Sequence, residues 1–453
     1  MDKSIHEMDG QKCSLDMGIM VRTRQGADLD TEHRIQRDLA RLARVREARL
    51  SACNPAARRY SARLREWYDD LPMQRKRDIG AMEERAQSAA RASGADVPLR
   101  FRLLELRGIN DAARGRLLRK AEMLAELEDA SGEAYKLSTY LDGVCDLPLG
   151  RLRAPALPED ATQAPAFLDG VRARLDAAVF GMGPAKDAVM RLVARWLANP
   201  ASLGGSVIGL CGPPGVGKTS VAKAIAEALG MALAFVPLGG AQDGSFLDGH
   251  ALTYEGSVPG RVADALVRAG CMNPLVVFDE VDKVSSTARG REVEGVLTHL
   301  VDPSQNAHFV DKYFSDVELD VSKAVFVFTM NDATVVSPVL RDRMALLHLG
   351  GYGRRDKAAI VRGHLLPEVA RAYGLAPGLA LTDDAMESLL DRCPAPGVRD
   401  VKRCLDAIVG DLNLRRYLDG SPVSPTLIRR GDVVRFAPAP LSFEAGPPPG
   451  MYV

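Results

Sequence analysis

A chain of 453 residues is long enough for two or three domains with cores of their own. Hydrophobic residues are 46% of it and aromatics only 5%, which suits an Ala- and Leu-rich, mostly helical protein; Lys+Arg and Asp+Glu number 59 each, so no global field draws the chain to nucleic acid or to an anionic membrane. The seven cysteines (Cys13, Cys53, Cys145, Cys211, Cys271, Cys393, Cys404) never fall at C-x-x-C spacing, which argues against a zinc site or a disulfide framework.

The opening MDKSIHEMDG has early acids and no apolar stretch, so neither a signal nor a transit peptide is expected. No run nears the ~18 uncharged apolar residues of a membrane span. A cytoplasmic or other reducing intracellular compartment, with no membrane partner, is the expectation.

Residues 1–30 carry no sustained periodicity and are expected to form a disordered lead-in. From about 29 to 91 the pattern is helical and Arg-rich, with Ile35, Leu39, Leu42 and Val45 at 3–4 spacing. It reads as a long helix or coiled-coil arm with a solvated charged face. The alternative is a basic surface for a nucleic-acid backbone, which Asp38, Glu47, Glu83 and Glu84 interrupt. Ser93-Gly94 breaks the arm, and residues 98–145 predict three further helices, so 31–150 is a helical arm followed by a helical subdomain. RLRAPALPEDATQAPA, residues 151–166, reads as a linker.

Residues 167–349 predict an α/β domain. Helices are expected over 167–177 and 184–197, on either side of a turn at 180–183. Short apolar strands are expected at 207–210, 233–237, 275–278, 325–329 and 346–349. Strands alternating with helices imply a mainly parallel sheet covered on both faces, with ligands at the carboxyl ends of the strands. Residues 350–412 predict a small all-α lid with helices at 356–373, 382–393 and from about 397 to 408. The tail, 413–453, has strand-like runs TLIRR and DVVRF and ends in AGPPPGMYV, which is expected to be disordered.

The chemistry centres on VIGLCGPPGVGKTS, residues 207–220, which fits G-x-x-x-x-G-K-[ST] after a strand and before a helix. Gly212, Gly215 and Gly217, with Pro213, Pro214 and Val216 between them, let the backbone curl so that its N–H groups face an anion. Lys218 is placed to reach the β- and γ-phosphates, and Thr219 offers a hydroxyl to Mg²⁺. Ser220 begins a helix whose N-terminal dipole favours negative charge.

LVVFDE, residues 275–280, ends a strand in two carboxylates. Asp279 is expected to hold Mg²⁺, and Glu280 to polarise the water that attacks the γ-phosphate of ATP. Asn331, after the strand VFVFT, is placed to orient that water. Arg341 and Arg343 precede the last core strand and Arg399 opens the last lid helix; guanidinium groups there can stabilise charge on a transferring phosphoryl group.

Together these stretches resemble the ATPase module of Lon proteases, within the AAA+ superfamily. The shared wording includes YLDGVCDLPLG (140–150), GPPGVGKTSVAKAIAEALG (212–230), NPLVVFDEVDK (273–283), LVDPSQNAHFVDKYF (300–314), RDRM (341–344), HLLPEV (364–369) and GVRDVKR (397–403). The match covers roughly 98–412. The resemblance implies that Lys218 and Thr219 are the Walker A pair, Asp279 and Glu280 the Walker B pair, Asn331 sensor 1, Arg343 the arginine finger and Arg399 sensor 2. It places Phe180, Gly181 and Met182, before Gly183, at the adenine pocket, and Tyr254 in a pore loop that grips an unfolded polypeptide.

It also implies a homo-oligomeric ring, a hexamer in this reading, that uses ATP and Mg²⁺ to remodel or unfold protein substrates. Lon proteases carry a Ser–Lys peptidase domain after the lid; only about 40 residues follow it here and no lysine follows Lys402, so serine peptidase activity is not expected. The family's β-rich N-terminal domain is likewise not expected. Glu255 stands where the family usually has an apolar residue after Tyr254, and Arg341 also replaces an apolar residue; the latter change has no account. Two other readings remain: an ATP-binding scaffold or regulator of a full-length Lon ring, which a separate peptidase or Lon partner would complete, and a DNA-associated AAA+ ATPase.

Overall fold

The computed structural model describes residues 60–437 apart from 93–96, 128–130, 159, 242, 254–255, 285–287, 376–377 and 419–426. The expected lead-in, the first half of the arm, Tyr254, Glu255 and the Pro/Gly-rich end lie outside the described residues. Two compact units divide the chain, 1–98 and 99–453. Among the described residues no helix is long and apolar enough to cross a membrane.

In the first unit the expected long arm is two helices, α1 (Ala62–Asp69) and α2 (Met73–Ala92). Pro72 separates them, since the residue before a proline is driven out of the helical region and proline itself donates no N–H. Tyr68 is buried at this corner, edge-on to Tyr60 at 5.3 Å, and its hydroxyl donates to the Lys76 carbonyl.

The second unit opens with α3 (Leu99–Glu105), α4 (Asp111–Glu126) and α5 (Gly132–Asp146). Asn110 and Ser131 cap the second and third, their side chains accepting from the N–H of Ala113 at 2.8 Å and Ala134 at 3.0 Å. Tyr140 of α5 packs on Tyr313 and Phe314, while Arg116 and Lys120 of α4 and the Tyr140 hydroxyl all converge on the Asp316 carboxylate. These contacts seat the helical group beside the short antiparallel pair β4 (Phe309–Val310) and β5 (Glu318–Leu319).

Helices α6 (Ala164–Ala178) and α7 (Gly183–Ala198) lead into the sheet. Its strands are β1 (Val207–Cys211), β2 (Leu233–Pro237), β3 (Leu275–Asp279), β6 (Val325–Met330) and β7 (Ala345–His348), all parallel, in the order β2-β3-β6-β1-β7. Alternation sends Ile208, Leu210, Val277, Val325 and Val327 to one face, against α6, α7 and α8 (Lys218–Ala228). Val207, Val276, Phe278, Phe326 and Phe328 face the other side, with Phe278 and Phe328 stacked at 5.1 Å. That face is closed by α10 (Arg261–Ala269) and α11 (Ala288–Val301), with the one-turn helix α9 (Ser245–Asp248) before them. The fold class expected from the sequence, a parallel sheet between helices with a small all-α lid, is the one observed. β1 lies between β6 and β7, so its carboxyl end opens beside those of β6 and, one strand further, β3.

After the single turn α12 (Pro338–Arg341) and β7 comes the lid. The helix expected over 356–373 is α13 (Arg354–Ile360) and α14 (Leu366–Ala372), joined by a π turn at Val361–Leu365. α15 (Asp383–Arg392) is capped by Thr382, as its sequence predicts. α16 (Arg399–Leu418) runs well past the expected end near 408. The strand-like tail runs need correction. Of TLIRR only β9 (Leu427–Ile428) pairs, in parallel with β8 (Ala380–Leu381), and DVVRF belongs to a helix, α17 (Arg430–Phe436). The Asp432 side chain accepts from the Arg429 N–H at 2.8 Å and starts that helix; Val433 is then buried and Val434 exposed.

Candidate nucleotide site

The loop after β1 needs its glycines. Gly215 and Gly217 sit at φ +77° and +100°, which L side chains rarely adopt. A Cβ on Gly217 would lie 2.5 Å from Val179 Cγ1, and one on Gly215 3.0 Å from the Arg399 Cβ. The loop ends at Lys218, the first residue of α8. Its Nζ donates to the carbonyls of Gly212 at 2.6 Å and Pro213 at 3.0 Å, and to Asn331 Oδ1 at 2.8 Å. Burial pushes the Lys218 ammonium below its usual range, and the charges of Asp282 and Asp279 pull it back up.

The carboxylates come from the neighbouring strand. Asp279 ends β3, and Glu280 follows at φ +61°, one of two non-glycine residues in the left-handed region among those described. Strain of this kind, about 1–3 kcal/mol, is held only where surrounding contacts over-determine it. Here Thr329, at the end of β6, supplies them: its hydroxyl donates to Asp279 Oδ1 and accepts from the Glu280 N–H at 3.1 Å. Asn331 is fixed in turn, its N–H donating to Asp282 Oδ2 at 3.0 Å. The second oxygen of Asp282 is buried and has no hydrogen-bond partner among the described residues.

These groups line one cleft of about 520 Å³ between the strand ends and the lid, within the usual range for small-ligand sites. Its apolar lining includes Val179, Phe180, Tyr352, Ile360 and Leu365, and its polar lining Lys218, Thr219, Ser220, Asp279, Glu280, Asn331, Arg399 and Lys402, the last paired with Glu368 at 2.7 Å. Lid and loop touch directly: the Val398 N–H donates to the Gly215 carbonyl at 3.1 Å and the Tyr352 hydroxyl to that of Val216 at 3.0 Å. Apolar side chains together with Lys218, Arg399 and the start of α8 on one cleft fit a purine nucleotide with its phosphates on that helix start. A hydroxyl, Thr219, and a carboxylate, Asp279, fit Mg²⁺, which takes few protein ligands and shares the rest with phosphate and water.

Of the residues singled out from sequence, Phe180, Pro214 to Ser220, Asp279, Glu280, Asn331 and Arg399 line this cleft, while Gly212 and Pro213 meet it through the carbonyls that hold Lys218. Gly181 and Met182 line a neighbouring cavity of about 280 Å³ with His348 and Asp356. Arg343 does not reach the cleft of its own chain: it pairs with Asp302 at 2.8 Å and donates to the Val339 carbonyl at 2.9 Å. Arg341 donates to the Ala333 carbonyl. Sequence reasoning missed Thr329, Asp282, Tyr352 and Lys402. Asp282 had a signal, as the third acid of DEVD, and Thr329 stands out as a hydroxyl in an apolar strand; Tyr352 and Lys402 are brought in only by the lid's docking.

Residues 208–349 match the model of the family described as ATPase family associated with various cellular activities (AAA). The chain is 35% identical over 376 residues to a Lon protease of Frankia alni, covering 81% of this chain and 42% of that protein. It is 34% identical to a Lon protease of Roseiflexus castenholzii over 87% of this chain and 48% of that protein. To a Lon protease homolog of Acanthamoeba polyphaga mimivirus it is 29% identical, over 78% and 35% respectively. The chain thus spans less than half the length of these relatives. Residues 208–349 thus match the AAA ATPase family model at the cleft-bearing sheet, and the chain around them is similar to part of the Lon proteases.

Proposed function

We propose that the chain binds ATP with Mg²⁺ in this cleft, hydrolyses it to ADP and phosphate, and uses the cycle to remodel or unfold protein substrates as a subunit of a ring. The observation that carries the reading is the convergence of Lys218, Asp279, Glu280, Asn331 and Arg399 on one cleft, contributed by three strand ends and the lid. In this reading Lys218 exchanges its carbonyl partners for β- and γ-phosphate oxygens. Thr219 and Asp279 hold Mg²⁺, which neutralises phosphate charge when bound. Glu280 takes the proton of the attacking water, and Asn331 orients that water. Arg399 senses the γ-phosphate from the lid, so its loss after hydrolysis changes the lid's hold on the phosphate loop.

Arg343, paired with Asp302 away from its own cleft, is assigned in this reading to the cleft of a neighbouring subunit, for which it would exchange that partner. Tyr254 is assigned to grip the polypeptide. The test is ATP-driven unfolding of a fluorescent reporter protein with an unstructured tail. Loss of fluorescence that needs ATP, and that disappears in Tyr254→Ala, is the expected result. No ATP-dependent loss from an ATP-hydrolysing protein would favour the second reading, a scaffold or regulator of a full-length Lon ring, which Glu255 beside Tyr254 supports by placing a charge where an apolar grip is expected.

A further inference from the structure

Cys393, which ends α15, and Cys404, in the second turn of α16, meet inside the lid core. The Cys393 thiol donates to Cys404 Sγ at 3.5 Å, and both side chains are almost fully buried. The residues they bracket are the ones that touch the nucleotide site. The Pro396 carbonyl accepts from the Tyr352 N–H, and the Val398 N–H holds the Gly215 carbonyl. Arg399 and Lys402 line the cleft. Gly397 lies so close to the phosphate loop that a Cβ there would stand 2.0 Å from the Pro214 carbonyl oxygen. Behind them the Lys357 ammonium is fixed on the Cys393 carbonyl at 2.9 Å, which ties the first lid helix to the same junction.

We propose that Cys393 and Cys404 form an oxidation site, closed to a disulfide by a peroxide, that sets the position of the lid's nucleotide-facing segment; its effect on turnover rests on the ATPase reading above. The chemistry balances in two steps. The Cys404 thiolate attacks one peroxide oxygen, giving a sulfenic acid and hydroxide. Cys393 sulfur then displaces the sulfenic hydroxyl; with its own proton and the one Cys404 released, the net products are a disulfide and two waters from two thiols and one hydrogen peroxide. The hydrogen bond from Cys393, with Arg403 and Arg392 nearby, holds the Cys404 thiol below its usual range and makes it the attacking sulfur, while the same bond and burial push Cys393 up. Bonding draws the sulfurs from 3.5 Å to about 2.05 Å. Gly397 and Val398 sit directly on the phosphate loop, so this movement is passed to Gly215 and to Arg399 beside it.

The full chain is treated with hydrogen peroxide, and its peptides are mapped by mass spectrometry beside an ATPase assay. The wild type is expected to lose two hydrogens in one linked 393–404 peptide pair and to lose turnover about tenfold or more, as a misplaced positioning group does. Dithiothreitol should restore both. Cys404→Ser should form no link and keep its turnover in peroxide, and Cys393→Ser serves as a second variant should the first not fold. Absence of the link in wild type, a link without change in turnover, or equal inhibition of the serine variants would overturn the proposal. Inactive reduced wild type would instead sink the ATPase reading, and the site would then be decided by the link and by its effect on affinity for a fluorescent ATP analogue.

Discussion

Thr329 is buried in a strand whose other residues are apolar, and its hydroxyl is bonded to Asp279 while it accepts from the Glu280 N–H. Thr329→Val keeps shape and removes both bonds. It leaves Asp279 short of a donor and Glu280 without the contact that holds its left-handed backbone. ATP turnover should fall roughly 10–100-fold, the cost typical of an outer-shell partner, with the urea midpoint lowered in line with a loss of about 1–3 kcal/mol; an unchanged rate would contradict the role. At this scale the sequence was most informative. Lys218, Thr219, Asp279 and Glu280, which line one cleft, could be picked out because a motif fixes their spacing. Thr329 and Asp282 leave only a bare signal there, a hydroxyl in an apolar strand and a third acid, because their partners depend on which strands are neighbours, and β3 and β6 are far apart in sequence.

Among the elements, the segment from β4 to β5 clamps the base of the loop that holds Tyr254. Asp311 Oδ2 accepts from the Gly260 N–H at 2.8 Å and Oδ1 from those of Tyr313 and Phe314 at 2.8 and 3.3 Å. A Cβ on Gly249, at the loop's other end, would lie 2.6 Å from Asp311 Oδ1, and Lys312 donates through its N–H to the Asp248 carbonyl. Burial pushes the Asp311 carboxyl up to about 6, against these N–H groups, which pull it down. That value is above the ordinary ~3.9 of an unfolded chain. The folded state therefore holds the proton more tightly, so the group's contribution to stability is greatest at low pH and falls as pH rises through 6. Asp311→Ala should be less stable than wild type at pH 5 by urea titration, and the gap should narrow by pH 7 without closing, since three buried N–H groups lose their acceptor. A gap that widens with pH would contradict this.

The elements also mark where local pattern ran out. Short apolar runs between turns were read as strands with near-correct bounds, because buried parallel strands leave a dense β-branched signal. DVVRF carries the same two valines, but one turn of α17 buries only Val433, and nothing local distinguishes the two cases. The π turn in the first lid helix changes no residue's periodicity enough to be seen in sequence.

For the molecule as a whole, the all-parallel sheet with its lid followed from the alternation of strand and helix. The docking of the lid on the phosphate loop did not, since it is long-range packing, whereas the break of the arm at Pro72 has a local cause in the proline itself. Arg343 is informative at this scale. Paired with Asp302 and away from its own cleft, it has a catalytic role only in the proposed ring. Arg343→Ala should leave nucleotide affinity near wild type and lower turnover about a thousandfold, the scale of an arginine finger. Mixing it with Glu280→Gln should recover activity at interfaces that pair an intact Arg343 with an intact Glu280. No recovery in mixed particles would argue against a shared site.

The central claim is that this cleft cleaves ATP with Glu280 as the base. The direct measurement is steady-state phosphate release by wild type and Glu280→Gln beside nucleotide affinity for each. The account predicts turnover in wild type, equal or tighter ATP binding by the variant, and a rate lower by about a hundredfold or more. Equal rates in the two proteins, or binding without turnover in wild type, would contradict it.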